Sequence, residues 1–199
     1  TEYCMEPREL LKLLQETGAM LDGHFLLTSG RHSNVYIEKF RVLENPQALD
    51  DVCRAMAGTV QNQNVELVLG AAIGGILIAG GVGRHLAVKH IFSERVDGKM
   101  ELRRGFSITR GQRIVIVEDI ITTGGSVFEL IQLAKEYEAE IVHVVNLVDR
   151  SSGEVNFEVP TTALLTIPSE SWEPEDCPLC QQGVAITQRG RTGKQMETI

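Results

Sequence analysis

The stretch Ile114-Val115-Ile116-Val117-Glu118-Asp119-Ile120-Ile121-Thr122-Thr123-Gly124-Gly125-Ser126 reads as a buried strand that ends in two adjacent carboxylates. A hydroxyl- and glycine-rich turn follows, and then a helix begins. The continuous β-branched run Ile114 to Val117 is the pattern of a central parallel strand covered on both faces. The turn offers several backbone N–H groups and the Thr122, Thr123 and Ser126 hydroxyls to one phosphate at a helix N-terminus. Gly124 and Gly125 allow close approach of the backbone. The Glu118–Asp119 pair, one turn earlier, suits sugar hydroxyls or a hydrated Mg²⁺. This is not a Walker loop, because GxxxxGK[ST] is absent from the chain. Nor is it a dinucleotide fingerprint, since Gly81-Val82-Gly83 lacks a third glycine.

Outward from this stretch the chain alternates strands and helices. Upstream, Val65 to Leu69 reads as a strand, Gly70 to Gly75 as a glycine-rich loop, Ile76 to Leu86 as a helix and Val88 to Phe92 as a strand. Ser93 to Gly111 is charged and poorly periodic, so a long loop with room for a hairpin is expected. Downstream, a helix runs from Ser126 to Tyr137, a strand from Ile141 to Val148, and an edge strand from Ala163 to Ile167. Such alternation implies an open, mostly parallel twisted sheet with flanking helices, binding ligands at the carboxyl ends of its strands. Nearer the N-terminus, Glu6 to Glu16 has helical spacing with Pro7 in its first turn and Gly18 beyond its end. Phe25 to Thr28 and Asn34 to Ile37 read as short strands around Ser29-Gly30-Arg31-His32. Pro46 opens a helix whose apolar positions include Leu49, Val52, Cys53, Met56 and Val60. We expect one domain over 1–199: a helix and small N-terminal hood over 1–40, an α/β core over 41–168, and a polar tail over 169–199.

The 199 residues carry 43% hydrophobic and 23% charged side chains, an ordinary globular balance. Nineteen Lys+Arg against 27 Asp+Glu leave a net charge of −8. That balance disfavours nucleic acid and anionic membranes as partners but not a small anion held locally. Leu67 to Gly83 is uncharged, yet short for a membrane span and interrupted by six glycines. The first residues lack the basic and apolar regions of a signal peptide, and a soluble, cytoplasmic chain is expected. Four cysteines do not make a disulfide scaffold. Cys177 and Cys180 form one CxxC, half of a zinc site. Four ligands are usually needed, Cys4 is remote in sequence and His143 falls in a strand, so no protein-held metal is expected.

The deciding stretch resembles the phosphoribosyl-pyrophosphate (PRPP) motif of type I phosphoribosyltransferases. Gly18-Ala19-Met20-Leu21-Asp22-Gly23-His24-Phe25-Leu26-Leu27-Thr28-Ser29-Gly30-Arg31-His32-Ser33 and Leu147-Val148-Asp149-Arg150 resemble signatures of the orotate branch of that family. The tail around Cys177-Pro178-Leu179-Cys180 is similar to a bacterial and archaeal group of the same enzymes. The resemblance spans roughly residues 18–185.

It implies the type I fold and transfer of a phosphoribosyl group from PRPP to orotate, giving orotidine 5′-monophosphate and pyrophosphate in pyrimidine biosynthesis. Glu118 and Asp119 would hold the ribose hydroxyls, with Ile120 and Ile121 leading into a 5′-phosphate cradle of Thr122, Thr123, Gly124, Gly125 and Ser126. Mg²⁺ would be carried mainly by PRPP and water. Arg150 would take the orotate carboxylate, with Thr122 as a second contact and Tyr36 or Ile37 covering the base. Gly70 to Gly75, including Gly74, resembles the pyrophosphate loop. Residues 93–106, with Arg95, Lys99, Arg103 and Arg104, resemble a mobile catalytic loop. Lys99 or Arg95 would meet the departing pyrophosphate, reaching the neighbouring site of a homodimer. Better-known members carry lysine where Thr28 and Gly74 stand, and an aromatic pair at Tyr36-Ile37. Two alternatives stay open: transfer to a purine or other base, and a non-catalytic PRPP-sensing regulator.

Overall fold

The β-branched run of the deciding stretch forms the middle of a six-stranded sheet. A computed structural model describes residues 5–27, 29–151, 153–167 and 170–188. In chain order the elements are α1 (Pro7–Glu16), β1 (Met20–Leu26), β2 (His32–Ile37), α2 (Phe40–Leu43), α3 (Pro46–Val60), β3 (Leu67–Ala71), α4 (Gly74–Leu86), β4 (Lys89–Val96) and β5 (Lys99–Leu102). There follow β6 (Arg113–Ile121), α5 (Gly125–Glu136), β7 (Glu140–Asp149), β8 (Thr161–Thr166), β9 (Ser171–Trp172), a 3-10 turn (Pro174–Asp176), α6 (Pro178–Gln181) and β10 (Thr187–Gln188).

The large sheet has the order β5-β4-β3-β6-β7-β8. It is parallel except for β5, which pairs antiparallel with β4. Alternation along β6 divides the core. Val115 and Val117 face the layer that holds Val52, Met56 and Ile78, and Leu10 and Leu14 of α1 join it. Ile114 and Ile116 face Leu130, Ile131 and Ala134 of α5. The uncharged stretch Leu67 to Gly83 is therefore a buried strand plus a packed helix. A Cβ at Gly81 would lie 2.4 Å from Cys53 Sγ, so glycine there lets α4 approach α3 closely. Among the described residues no helix is long and apolar enough to cross a membrane. The α3 start is set locally: Asn45 Oδ1 accepts from the Gln47 and Ala48 amides at 3.1 and 3.0 Å, and Pro46 follows it.

A second sheet, order β10-β1-β2-β9, joins both ends of the chain. Here the structure departs from the sequence reading. The two N-terminal strands start earlier, at Met20 and His32, because pairing runs from Met20↔Ile37 to Asp22↔Val35, breaks at a bulge over Gly23 and His24, and resumes from Phe25↔Ser33 to Leu26↔His32. Cross-strand pairing overrides the weak strand preference of Asp22. Thr28 lies outside the described residues. The tail joins this sheet as well: β9 pairs with β2 and β10 with β1. Helix α1 packs into the main core, so the hood is built from the hairpin and the tail together.

Residues 93–102 form the far part of the hairpin for which the sequence left room, and 103–112 remain loop. Ser93 pairs with Leu102 and Val96 with Lys99, around Asp97 and Gly98. Both turn residues have positive φ, 48° and 86°, the geometry that an Asp-Gly pair supplies to a two-residue hairpin. The charges on the solvent face hid the strand alternation from view.

Candidate active site

Parallel strands β3, β6 and β7 end side by side, with Gly70 opposite Val117 and Ile121 opposite Asp149. The acid pair sits inside β6 rather than after it, and both residues are buried. Pairing with β3 stops at Val117. Beyond that point side chains take over: Glu118 Oε1 accepts from the Asp119 amide at 2.9 Å, and Asp119 Oδ1 from the Ile120 amide at 2.6 Å.

Asp119 Oδ2 faces Lys39 Nζ at 2.6 Å. Lys39 is a site residue that the sequence reading missed. It lies between β2 and α2 in sequence and far from the motif, and nothing local marks it. A Cβ at Gly74 would stand 1.9 Å from Asp119 Oδ2. The glycine at 74 is thus a steric condition for the buried carboxylate, because any side chain there would displace Asp119 Oδ2.

The turn after β6 is shaped by Gly124. Its φ is +76°, and a Cβ would meet Val155 at 2.8 Å and Phe157 at 2.9 Å, so both backbone and space demand glycine. No side chain caps α5 at Gly124. The amides of its first turn, the exposed Thr122 and Thr123 and the half-buried Ser126 are left facing outward as a group. The turn Gly70 to Gly75 is tight, with Ala72 donating to the Ser93 carbonyl at 2.9 Å.

Arg150 follows β7 directly. Its amide donates to the Ile121 carbonyl at 2.8 Å, which brings it next to Thr122. The half-buried guanidinium donates from Nη2 to the Val35 carbonyl at 3.4 Å. Burial lowers its pKa, with Tyr36 acting in the opposite direction; an arginine stays charged regardless. Of the two residues considered for the base face, Ile37 is buried in the core and Tyr36 is half-buried, 5.6 Å from Phe25 between ring centres. Strand alternation decides this, because neighbours in β2 point to opposite faces.

The basic residues of 93–106 do not join this group. Arg95 pairs with Glu129 on α5, and Arg104 grips Glu94 through two bonds of 2.9 Å. Lys99 is exposed and lines a cleft of about 740 Å³ with Gln132, Glu136 and Tyr137. Arg103 is exposed. His143 packs within the sheet as expected, its Nε2 2.9 Å from Thr162 Oγ1, and burial lowers its pKa.

Burial pushes the Glu118 carboxyl up to about 8, and the neighbouring Asp119 charge adds to the rise. Its folded value exceeds the unfolded one, so its contribution to stability is full below about pH 4.5 and is lost as pH rises through 8. Glu118→Gln should therefore melt close to the native chain at pH 5 and several degrees above it at pH 9, without ligand. Melting curves across that range check this. An equal difference at both ends would show that Glu118 ionises freely in the folded chain.

Acids in a central strand, a glycine turn feeding a helix and a hood over the strand ends are the features of one enzyme family. The phosphoribosyl transferase domain family matches residues 41–181, and the chain belongs to it, with the type I fold. An orotate phosphoribosyltransferase of Desulforamulus reducens is 47% identical over 186 residues, covering 94% of this chain and 97% of that one. Another from Thermotoga maritima is 43% identical over 182 residues, covering 92% and 97%. The solved orotate phosphoribosyltransferase of Aeropyrum pernix matches with a TM-score of 0.67 at 27% identity, over 79% of this chain and 93% of that chain. Within the family, this chain belongs to the orotate phosphoribosyltransferases.

Proposed function

We propose that the chain joins orotate to PRPP, forming orotidine 5′-monophosphate and releasing pyrophosphate. The observation that carries the assignment is Arg150, bonded to Ile121 at the start of the phosphate turn and half-buried beneath the hood. A guanidinium there matches a carboxylate in bidentate fashion, and orotate carries one where uracil and purines do not.

In this reading Thr122 to Ser126 hold the 5′-phosphate through backbone amides and hydroxyls. Glu118 and Asp119 hold the ribose hydroxyls and face the positive charge that grows as the C1′–pyrophosphate bond breaks. The orotate nitrogen then bonds to C1′ and loses its proton. The protein positions and stabilises charge, and no covalent intermediate is required. The raised Glu118 carboxyl beside Asp119 marks a pair that a further cation would relieve, so these residues fit a divalent ion arriving with PRPP. Mg²⁺ held beside Glu118 and Asp119 would supply positive charge against the departing pyrophosphate. We read this as a cytoplasmic reaction between small soluble substrates.

One assay tests the reading: PRPP and Mg²⁺ with orotate, uracil, adenine and hypoxanthine, followed by pyrophosphate release. Orotate alone should support turnover. Release with a purine instead would replace the assignment, and binding of PRPP without pyrophosphate release for any base would support a PRPP-sensing role.

We further infer a homodimer in which the 93–106 hairpin serves the neighbouring site. Two observations support it: Lys99 lies on the α5 side of its own chain, and Ile73 and Leu77 expose apolar surface beside the glycine turn, at 74% and 49%. Mixing inactive Lys99→Ala and Asp119→Asn chains should restore part of the activity through hybrid dimers. No recovery after subunit exchange would count against action across the interface.

A further inference from the structure

We propose that His24, His32, Cys177 and Cys180 bind one structural Zn²⁺ that fastens the tail to the N-terminal hairpin. CxxC alone offers half of a tetrahedral ligand set; folding supplies the other half. In the β1–β2 hairpin Leu26 stands opposite His32, and the bulge over Gly23 and His24 turns the His24 ring onto His32, 4.9 Å between ring centres. The turn around α6 carries both cysteines to these two rings.

The donor atoms already have the spacing of a tetrahedron. His24 Nε2 is 3.0 Å from His32 Nδ1 and 3.4 Å from Cys177 Sγ. Cys180 Sγ is 3.3 Å from His32 Nδ1 and 3.8 Å from His24 Nε2. All four donors lie within 4.8 Å of one another. Zinc bonds of about 2.05 Å to nitrogen and about 2.3 Å to sulfur give tetrahedral edges of ~3.3 Å for N···N, ~3.6 Å for N···S and ~3.8 Å for S···S.

The surroundings agree with a metal. His24 Nδ1 donates to the Val184 carbonyl at 2.8 Å, which leaves the Nε2 lone pair of the neutral ring directed at the other donors. That carbonyl belongs to the same turn as the cysteines, where Val184 and Gly183 amides bond back to Leu179 and Cys180 at 3.0 Å each. His24, His32 and Cys177 are 3%, 7% and 0% exposed. Binding releases the two thiol protons, and two thiolates with Zn²⁺ make a net neutral centre suited to burial. Two sulfurs and two imidazoles favour zinc over magnesium or calcium, and four protein ligands close the site to substrate. Residues on both sides of His32 independently hold the tail: Arg31 bonds Ser171 Oγ at 2.9 Å and Ser33 bonds the Glu170 carbonyl at 2.9 Å.

The zinc thus braces the hairpin whose Val35 and Tyr36 face Arg150. The proposal stands apart from the reaction and needs no orotate assignment.

Element analysis of the full native chain, purified without chelator, should find one zinc per chain. Cobalt in its place should show the intense visible band of a tetrahedral ion and a thiolate charge-transfer band. Cys180→Ser, at an exposed position, and Cys177→Ser should each lose most of the metal. Stripped native chain should melt lower and recover its melting temperature on adding Zn²⁺. A native chain that holds no zinc and takes up none at micromolar concentration would overturn the proposal. So would a Cys177–Cys180 disulfide in the native chain, or full zinc content in the double Cys→Ser variant. If the variants fail to fold, zinc content and cobalt spectra of the native chain still decide.

Discussion

Replacing Asp119 by Asn lowers turnover roughly 100- to 1000-fold, the usual cost of losing one preorganised electrostatic contact to a transition state. The amide keeps the shape, and its oxygen can still accept from the Ile120 amide, which now lies 2.6 Å from Oδ1. It cannot supply negative charge against the cation forming at C1′. Lys39 loses its partner at 2.6 Å but is itself partly exposed, so the melting temperature should change little. Removing the Asp119 charge also relieves Glu118, whose raised pKa owes part of its shift to that neighbour. Steady-state rates with both substrates, together with a melting curve, test the expectation. Full activity in the purified variant would remove Asp119 from the reaction. Collapse of the fold would make it a structural residue.

Arg150→Ala should raise the orotate requirement roughly ten- to a hundred-fold. A charge-assisted guanidinium–carboxylate contact is worth about 1.5–3 kcal/mol, which converts to that range. PRPP binding should hold nearly constant, because the phosphate turn and acid pair lie on the neighbouring strand β6. The Val35 contact at 3.4 Å adds a second consequence, since the same side chain ties the hood to β7. Arg150→Lys separates the two roles: it keeps a charge, loses the planar fork, and should fall between Ala and native. Uracil, lacking the carboxylate, should be a poor substrate for the native chain and lose little in the variant. Titrating each substrate against all three proteins reads the pattern. Equal weakening of both substrates would indicate damage to the hood, and unchanged orotate binding would exclude Arg150 as its partner.

Local chemistry explains how much of this was legible in the chain. Ile114 to Val117 is apolar at every position, so it reads as a strand buried on both faces without knowledge of its neighbours. Gly124 and Gly125 after two threonines mark the turn in the sequence, whereas the exclusion of a side chain at Gly124 by Val155 and Phe157 is seen only in the fold. Pro46 after Asn45 marks the start of α3. Arg150 stood out because Leu147 to Arg150 resembles a signature of the orotate branch and ends an apolar strand, where ligands meet a parallel sheet.

Other features arise only when distant segments meet. Lys39 has no local signature; it matters because folding brings Nζ within 2.6 Å of Asp119. Gly74 looks like one more loop glycine until the buried carboxylate is seen where its Cβ would be. The strands of the 93–102 hairpin were hard to place because their inward positions are few and their charges pair with α5 and with Arg104 beyond β5. The amino-acid order by itself determined the parallel sheet, the phosphate turn and the reacting edge, since each is written in contiguous residues whose backbone preferences agree. Tertiary structure alone decided the ion pair at Asp119, the place of the tail in the hood and the meeting of His24 and His32 with Cys177 and Cys180. Those depend on strand register and on contacts between residues as far apart as His24 and Cys180, which no local preference encodes.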